Sequence, residues 1–171
     1  MEFIKEKYEE KFKELKRQHL IVESTATFKI NLFFKKAETS LLIAINQRNP
    51  PKTPEKIYWL QWSITIAYYA MLYATKAILL KKGYEVKTHE AAQIALGHLL
   101  VPNELEKEDL EILNQTHKIF EDEYVTYFED ARKESSTARY QARPSYTERR
   151  VDEIISNAKK FIKKISEIIK D

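Results

Sequence analysis

Apolar side chains recur at steps of three and four positions along most of the chain, which is the period of an amphipathic α-helix. The first such stretch has one narrow apolar stripe between Lys and Glu residues, formed by Ile4, Tyr8, Phe12, Leu15 and His19. The back of this helix is heavily charged, so only one face can be buried. We therefore expect residues 1–25 to be a helical extension that is added to a bundle formed by residues 26–171.

A second helix is predicted over Phe28–Gln47. Its apolar residues cover much of its circumference, so it should pack on two sides. The proline-rich segment 48–54 ends this helix, because proline lacks a backbone N–H donor and disfavours helical backbone in the preceding residue. Thr53 and Pro54 suit the N-cap and first position of a central helix that ends near Lys82.

Capping residues mark the remaining helices. Gly83 suits the left-handed residue that closes the central helix, and Thr88 suits the N-cap of a short helix through Leu100. After a proline-containing break, a long acidic helix reaches Ser135 or beyond, and Thr147 can cap the last helix. The chain is thus predicted to be all-α: an up-and-down antiparallel bundle of four long helices plus a short helix, with an extra N-terminal helix.

Composition narrows the class of protein. The 171 residues include 2 Gly and 5 Pro, too few for a fold of many short strands, and the absence of Cys excludes disulfides and thiolate zinc sites. Lys, Glu and Ile are prominent, a bias also seen in proteins from hot environments. The uncharged stretch 57–75 approaches the length of a membrane span, but its Gln, Ser, Thr and Tyr residues favour a buried helix. The charged N-terminal segment does not resemble a secretory signal, so we expect a cytoplasmic protein.

Charge is unevenly distributed, although the formal net charge is only +3. Residues 101–130 contain two Lys against ten Asp or Glu, whereas residues 131–171 contain eleven Lys or Arg against six acids. An acidic helix therefore runs into a basic end. The distribution of charge along the chain is therefore more informative about binding partners than the net charge is.

Two histidines occupy informative positions. His117 lies on the apolar stripe of the acidic helix, so we expect it to be a core histidine. His89 follows the Thr88 cap between two helices, where it would be accessible to titrate or to donate a hydrogen bond.

The sequence has no Gly-rich phosphate loop, helical zinc motif or nucleophile elbow. We expect no metal and no cofactor.

Two groups of residues resemble the HEPN domain, a helical domain proposed to bind nucleotides. The first is the run Thr65–Gly83, which contains Tyr-Tyr-Ala-Met, followed by Lys87-Thr-His-Glu-Ala-Ala. The second comprises Ala131-Arg132, Ala138-Arg139-Tyr140 and, in the last helix, Ala158-Lys-Lys-Phe161. The resemblance covers about residues 28–169 and leaves the first helix outside.

The sequence departs from the family pattern at positions that bear on catalysis. Many relatives have an Arg three residues after the first Arg and an Asp before the Tyr, where this chain has Ser135 and Arg139. Ribonuclease members place a His four to six residues after an Arg, because the His moves the ribose proton and the Arg stabilises the charged phosphate. No His follows Arg132 or any later Arg. We therefore expect no catalytic residues of this kind.

The resemblance implies a binding cleft between the central helix and the basic end. Tyr rings can stack on bases, and Arg can pair with phosphate oxygens. The candidate nucleotide- or RNA-binding residues are Tyr69, Tyr73, Lys76, His89, Arg132, Arg139, Tyr140 and Arg143. The competing interpretation is that the Tyr residues belong to the core and that the Arg residues pair with the acidic helix.

Three functions stay open at this point. The resemblance implies a non-catalytic interaction module of a toxin–antitoxin-like system, which would form a homodimer and bind a nucleotidyltransferase partner, a nucleotide or RNA. The first alternative is an RNA-cleaving toxin with a non-standard site around His89 and Arg132. The second alternative is a purely structural helical dimer.

Overall fold

The computed structural model describes residues 3–49, 56–133 and 147–170, except for the side chains of residues 56–58 and 122–133. Within these ranges the chain forms six helices and two short strands. In chain order they are α1 (Lys5–Arg17), β1 (Ile21–Glu23), α2 (Phe28–Gln47), α3 (Lys56–Lys81), β2 (Tyr84–Val86), α4 (His89–Leu100), α5 (Lys107–Lys133) and α6 (Glu148–Lys170). The prediction of a helical bundle is confirmed, and a two-stranded sheet is added to it.

Helix α3 is the centre of the bundle and packs against α2, α4, α5 and α6. Small side chains let its neighbours approach closely, since Ala67, Ala70, Ala74 and Ala77 are all fully buried. The segment Trp59–Lys81 is long and apolar enough to cross a membrane, but 72% of its most apolar window is buried inside the fold. This confirms the expectation of a core helix.

The helix ends follow the capping residues of the sequence. The Thr88 hydroxyl accepts a hydrogen bond from the Ala91 amide at 3.1 Å, and Thr147 accepts one from the Arg150 amide at 3.3 Å. Gly83 closes α3 with φ of +84°. The proposed cap at Thr53 and Pro54 lies outside the described residues.

Both ends of the predicted stripe lie outside α1. Ile4 is the N-cap residue and is exposed. The apolar stripe was expected to continue through His19, but α1 ends at Arg17 and His19 lies in an exposed turn with φ of +56°. The turn reverses the chain so that β1 can pair with β2. Side chains beyond Arg17 therefore no longer follow the helical period.

The two strands pair in antiparallel register, with Ile21 opposite Val86 and Glu23 opposite Tyr84. The strands hydrogen-bond the segment just before α2 to the segment just after α3. They therefore connect the start of α2 with the end of α3. The sheet also places the start of α4, and with it His89, three residues beyond Val86.

Helix α1 packs against α4 of the same chain. Its stripe residues Tyr8, Phe12 and Leu15 are buried. The centroids of the Phe12 and His98 rings lie 4.4 Å apart. Gly97 of α4 faces the Tyr8 ring so closely that a Cβ atom there would lie 2.5 Å from two ring carbons. The division into an extension at 1–25 and a bundle at 26–171 stays a prediction, but the stripe of the extension is covered by the bundle.

Candidate functional site

A row of aromatic rings crosses α3, from α2 on one side to α4 and α5 on the other. We call this row the aromatic strip. It consists of Phe33, Tyr73, Tyr69, Tyr68, His89, His117 and Phe120. Tyr69 and Tyr73 lie one helical turn apart on α3, are both half-buried, and have ring centroids 6.2 Å apart. Spacing on one helix face therefore produces the middle of the strip.

The two ends of the strip come from different helices. Phe33 of α2 stacks on Tyr73 with centroids 6.2 Å apart and an interplanar angle of 23°. On the other side, the Tyr69 ring lies 6.0 Å from His89 and 5.6 Å from Phe120, both edge to face. Ring pairs at these separations attract one another beyond their simple burial.

Tyr68 forms the buried floor beneath the histidines. Its ring stacks on Phe120 at 5.0 Å and lies 5.2 Å from His117 and 5.5 Å from His89. The Tyr68 hydroxyl is fully buried and has no hydrogen-bond partner among the described residues. Burial raises the pKa of Tyr68, so the phenol stays protonated and has a proton to donate.

His89 and His117 contact each other at this end of the strip. His89 Nδ1 lies 3.3 Å from His117 Nε2, and the same nitrogen of His117 lies 3.5 Å from a carboxylate oxygen of Glu121. Burial lowers the pKa of both histidines, and for His89 the neighbouring His117 and Lys76 lower it further. Near pH 7 both rings are therefore neutral, and one donates to the other.

Two lysines lie at the opposite end, which we call the lysine end. Lys36 Nζ lies 5.6 Å from the Tyr73 centroid and 6.0 Å from the Phe33 centroid, and Lys76 Nζ lies 5.9 Å from the Phe33 centroid. Burial lowers the pKa of Lys76; nearby Glu85 opposes this effect, and Lys36 adds to it. Cationic and aromatic groups thus alternate at this end.

The structure brings together four of the candidates from the sequence, namely Tyr69, Tyr73, Lys76 and His89. Arg132 lies on α5 but its side chain is not described, and Arg139, Tyr140 and Arg143 lie outside the described residues. The contribution of these last four residues stays a prediction.

Sequence reasoning missed part of the strip. The residues not anticipated are Phe33, Lys36, Tyr68, His117 and Phe120. His117 and Phe120 were recognised as facing inward, but only the fold shows that they meet His89. Within the described parts of the chain, no group of three or more His, Asp or Glu side chains could hold a metal ion.

A comparison with protein families matches residues 31–169 to the HEPN domain. The matched range contains nearly all of α2 and α6 and every element between them, including all seven residues of the aromatic strip, and leaves α1 and β1 outside. No curated protein matches the sequence. Because the match extends over most of the chain, this protein belongs to the HEPN domain family.

Proposed function

We propose that this HEPN protein is a non-catalytic binding module whose aromatic strip holds a nucleotide or a single strand of RNA. The observation that carries the proposal is the continuous row of rings, half-exposed at Phe33, Tyr73 and Tyr69, that ends at two lysines. Bases of any type stack on aromatic side chains, and lysines attract phosphate groups. A strip of this kind matches the two chemical components of a nucleotide.

Exposure supports a surface role for these rings. Tyr69 and Tyr73 are only partly buried, although α3 is the core helix. Trp62, seven positions before Tyr69 and so on the same face of α3, is 59% exposed. A core stripe would place all three rings inside, as it does Tyr68. The accessible face of α3 therefore offers a platform longer than one base.

The biological setting is proposed from the family. HEPN domains typically dimerise and pair with nucleotidyltransferases, so we propose a cytoplasmic homodimer with such a partner in a toxin–antitoxin-like system. The dimer is supported by the outer face of α2, where Phe28, Leu32, Leu42 and Ile43 are all exposed. Arg132, Arg139, Tyr140 and Arg143 belong to the proposed nucleotide site as additional phosphate and base contacts.

Binding of fluorescently labelled single-stranded RNA, measured by anisotropy at low salt, tests the site. Replacing Tyr69 or Tyr73 by Leu is expected to weaken binding about fivefold or more, because each stacked base contributes about 1–3 kcal/mol. Tyr84→Leu is the matched control, because this half-buried ring contacts Phe12 and lies off the strip. Equal affinities for all four proteins, or no binding at low salt, would contradict the proposal.

RNA cleavage is a second candidate, favoured by the contact between His89 and His117. Paired imidazoles can serve as general base and general acid. Their lowered pKa values argue against this function, because a general acid must be protonated near the working pH. Metal-free RNA cleavage by the pure protein, abolished by His89→Ala and also by His117→Ala, would establish this function instead.

A further inference from the structure

We propose that the lysine end of the aromatic strip is a subsite for a phosphate monoester, such as the phosphate of a mononucleotide or the terminal phosphate of an RNA. The inference rests on the proposed function and narrows its ligand. Internal phosphodiesters are predicted to be poor occupants of this subsite.

The local charges do not balance. Glu85 accepts from Lys29 through both carboxylate oxygens, at 2.9 and 3.1 Å. Lys36 and Lys76 have no carboxylate within ion-pair distance among the side chains that the structure describes. Lys29 and Glu85 cancel, so the two remaining ammonium groups leave a charge of +2 next to the aromatic strip.

Lys36 is exposed, but Lys76 is half-buried, and the other half-buried lysines among the described residues form ion pairs. Lys16 binds Glu23 at 2.8 Å. Lys82 binds Glu104 at 2.5 Å, and Lys164 binds Asp109 at 2.6 Å. In each case a carboxylate offsets the cost of removing an ammonium group from water. At Lys76, a bound anion from outside the chain would offset this cost.

The two ammonium groups lie beside the same ring. Their nitrogens are 6.0 and 5.9 Å from the Phe33 centroid, and Lys36 is near enough to lower the pKa of Lys76. The stacked rings of Phe33 and Tyr73 form an apolar floor beside them, and low polarity strengthens attraction between ion and ligand. Desolvation of Lys76 adds to this effect, because a bound anion would stabilise its charged form.

A phosphate monoester fits this environment better than a diester does. The monoester carries about −1.5 to −2 charges at pH 7 and presents three strong acceptor oxygens. A diester carries one charge and has two unesterified oxygens. Each lysine offers three rotatable donors around a compact charge, so two lysines can engage a terminal phosphate from two sides. The base of the same nucleotide would then lie over Tyr73 or Tyr69.

The test compares short single-stranded RNAs of one sequence that carry a 5′-phosphate, a 3′-phosphate or no terminal phosphate. For the wild-type protein, one of the two terminal phosphates is expected to raise the affinity about tenfold, as charge-assisted contacts do. Lys36→Gln and Lys76→Gln should each remove most of that preference, so that RNAs with and without the terminal phosphate bind the variant with nearly equal affinity. Lys35→Gln is the matched control, since Lys35 is the exposed neighbour of Lys36 and makes no described contact with the strip.

The outcomes separate this inference from the proposed function. If RNA binding depends on Tyr69 but neither terminal phosphate raises the affinity, the phosphate subsite is overturned and the proposed function stands. Binding of inorganic phosphate that is lost in Lys36→Gln, with no effect of Tyr69→Leu on RNA, supports the subsite and contradicts the proposed function. Thermal melts of both Gln variants must match the wild type. If either variant is less stable, inorganic phosphate is titrated into the wild-type and Lys35→Gln proteins instead. Failure of these two proteins to bind phosphate would overturn the subsite.

Discussion

The packing of α1 on α4 can be tested with the single substitution Gly97→Ala. Gly97 lies inside α4, and an added Cβ would lie 2.5 Å from Cδ1 and Cε1 of Tyr8 and 3.0 Å from Cδ2 of Leu110. Ordinary contacts between carbon atoms are about 3.5–4.0 Å, so the Tyr8 ring must move by about 1 Å. Tyr8 is 2% exposed, and the ring has little room to move.

Two opposing effects determine the size of the change. Overpacking a buried site costs about 1–3 kcal/mol. Replacing Gly by Ala inside a helix contributes about 0.8–1.0 kcal/mol of stability. The clash involves a rigid ring at two atoms, so the cost should lie in the upper part of its range. We expect Gly97→Ala to lower the free energy of unfolding by about 1–2 kcal/mol.

The sign of the effect should reverse when the ring is removed. In a Tyr8→Ala background, only the helix preference and the looser Leu110 contact remain, so Gly97→Ala is expected to stabilise by about 0.5–1 kcal/mol. Chemical denaturation followed by far-ultraviolet circular dichroism measures all four proteins, with equal m-values as the check on two-state unfolding. If Gly97→Ala stabilises the wild type as well, α1 does not pack on α4 as described.

Two further predictions concern the bundle core. Because burial lowers the pKa of His89 and His117, the unfolded chain binds protons before the folded protein does as the pH falls. The free energy of unfolding is therefore highest above about pH 6.5 and decreases below it. A His89→Gln/His117→Gln variant should show a shallower decrease in denaturation series from about pH 7 to 5. An equally steep decrease in the variant would contradict this assignment. Ser63 Oγ donates to the Ala44 carbonyl at 2.7 Å in the α2–α3 interface, so Ser63→Ala should cost about 0.5–1.5 kcal/mol in thermal melts, whereas the exposed Ser156→Ala should cost nothing measurable.

Local sequence signals were enough to predict most of the helices. The bounds of α2 agree with the expected Phe28–Gln47, and Thr88 and Thr147 cap the helices they were expected to cap. These signals depend on a few neighbouring residues. A hydroxyl before an apolar-periodic run, or a glycine after it, acts through the backbone of the same turn.

The strands could not be predicted in the same way. Each has three residues, and the partner of Ile21 is Val86, two helices later in the chain. Such a short segment has no useful alternating pattern of its own. It becomes a strand only because the packing of α2 on α3 brings the two segments side by side.

The candidate site shows the same limit. Helical spacing placed His117 on an inward face, but it could not show that this face meets His89, 28 residues earlier. On α2 the difficulty is greater, because apolar residues surround most of that helix. The helical period therefore did not identify the face with Phe33 and Lys36 as the face of α2 that contacts Tyr73.

The docking of α1 on α4 has a consequence during synthesis. Leu15 leaves the ribosome about 80 residues before Gly97, which at about 5–20 residues per second is on the order of 4–16 s. Throughout that interval the stripe of Tyr8, Phe12 and Leu15 has no surface to cover it. Ten of the 13 residues of α1 are charged, and this charge keeps the waiting segment hydrated. The first helix made must thus wait for the fourth before its apolar stripe is covered, and its composition suits a long delay in water.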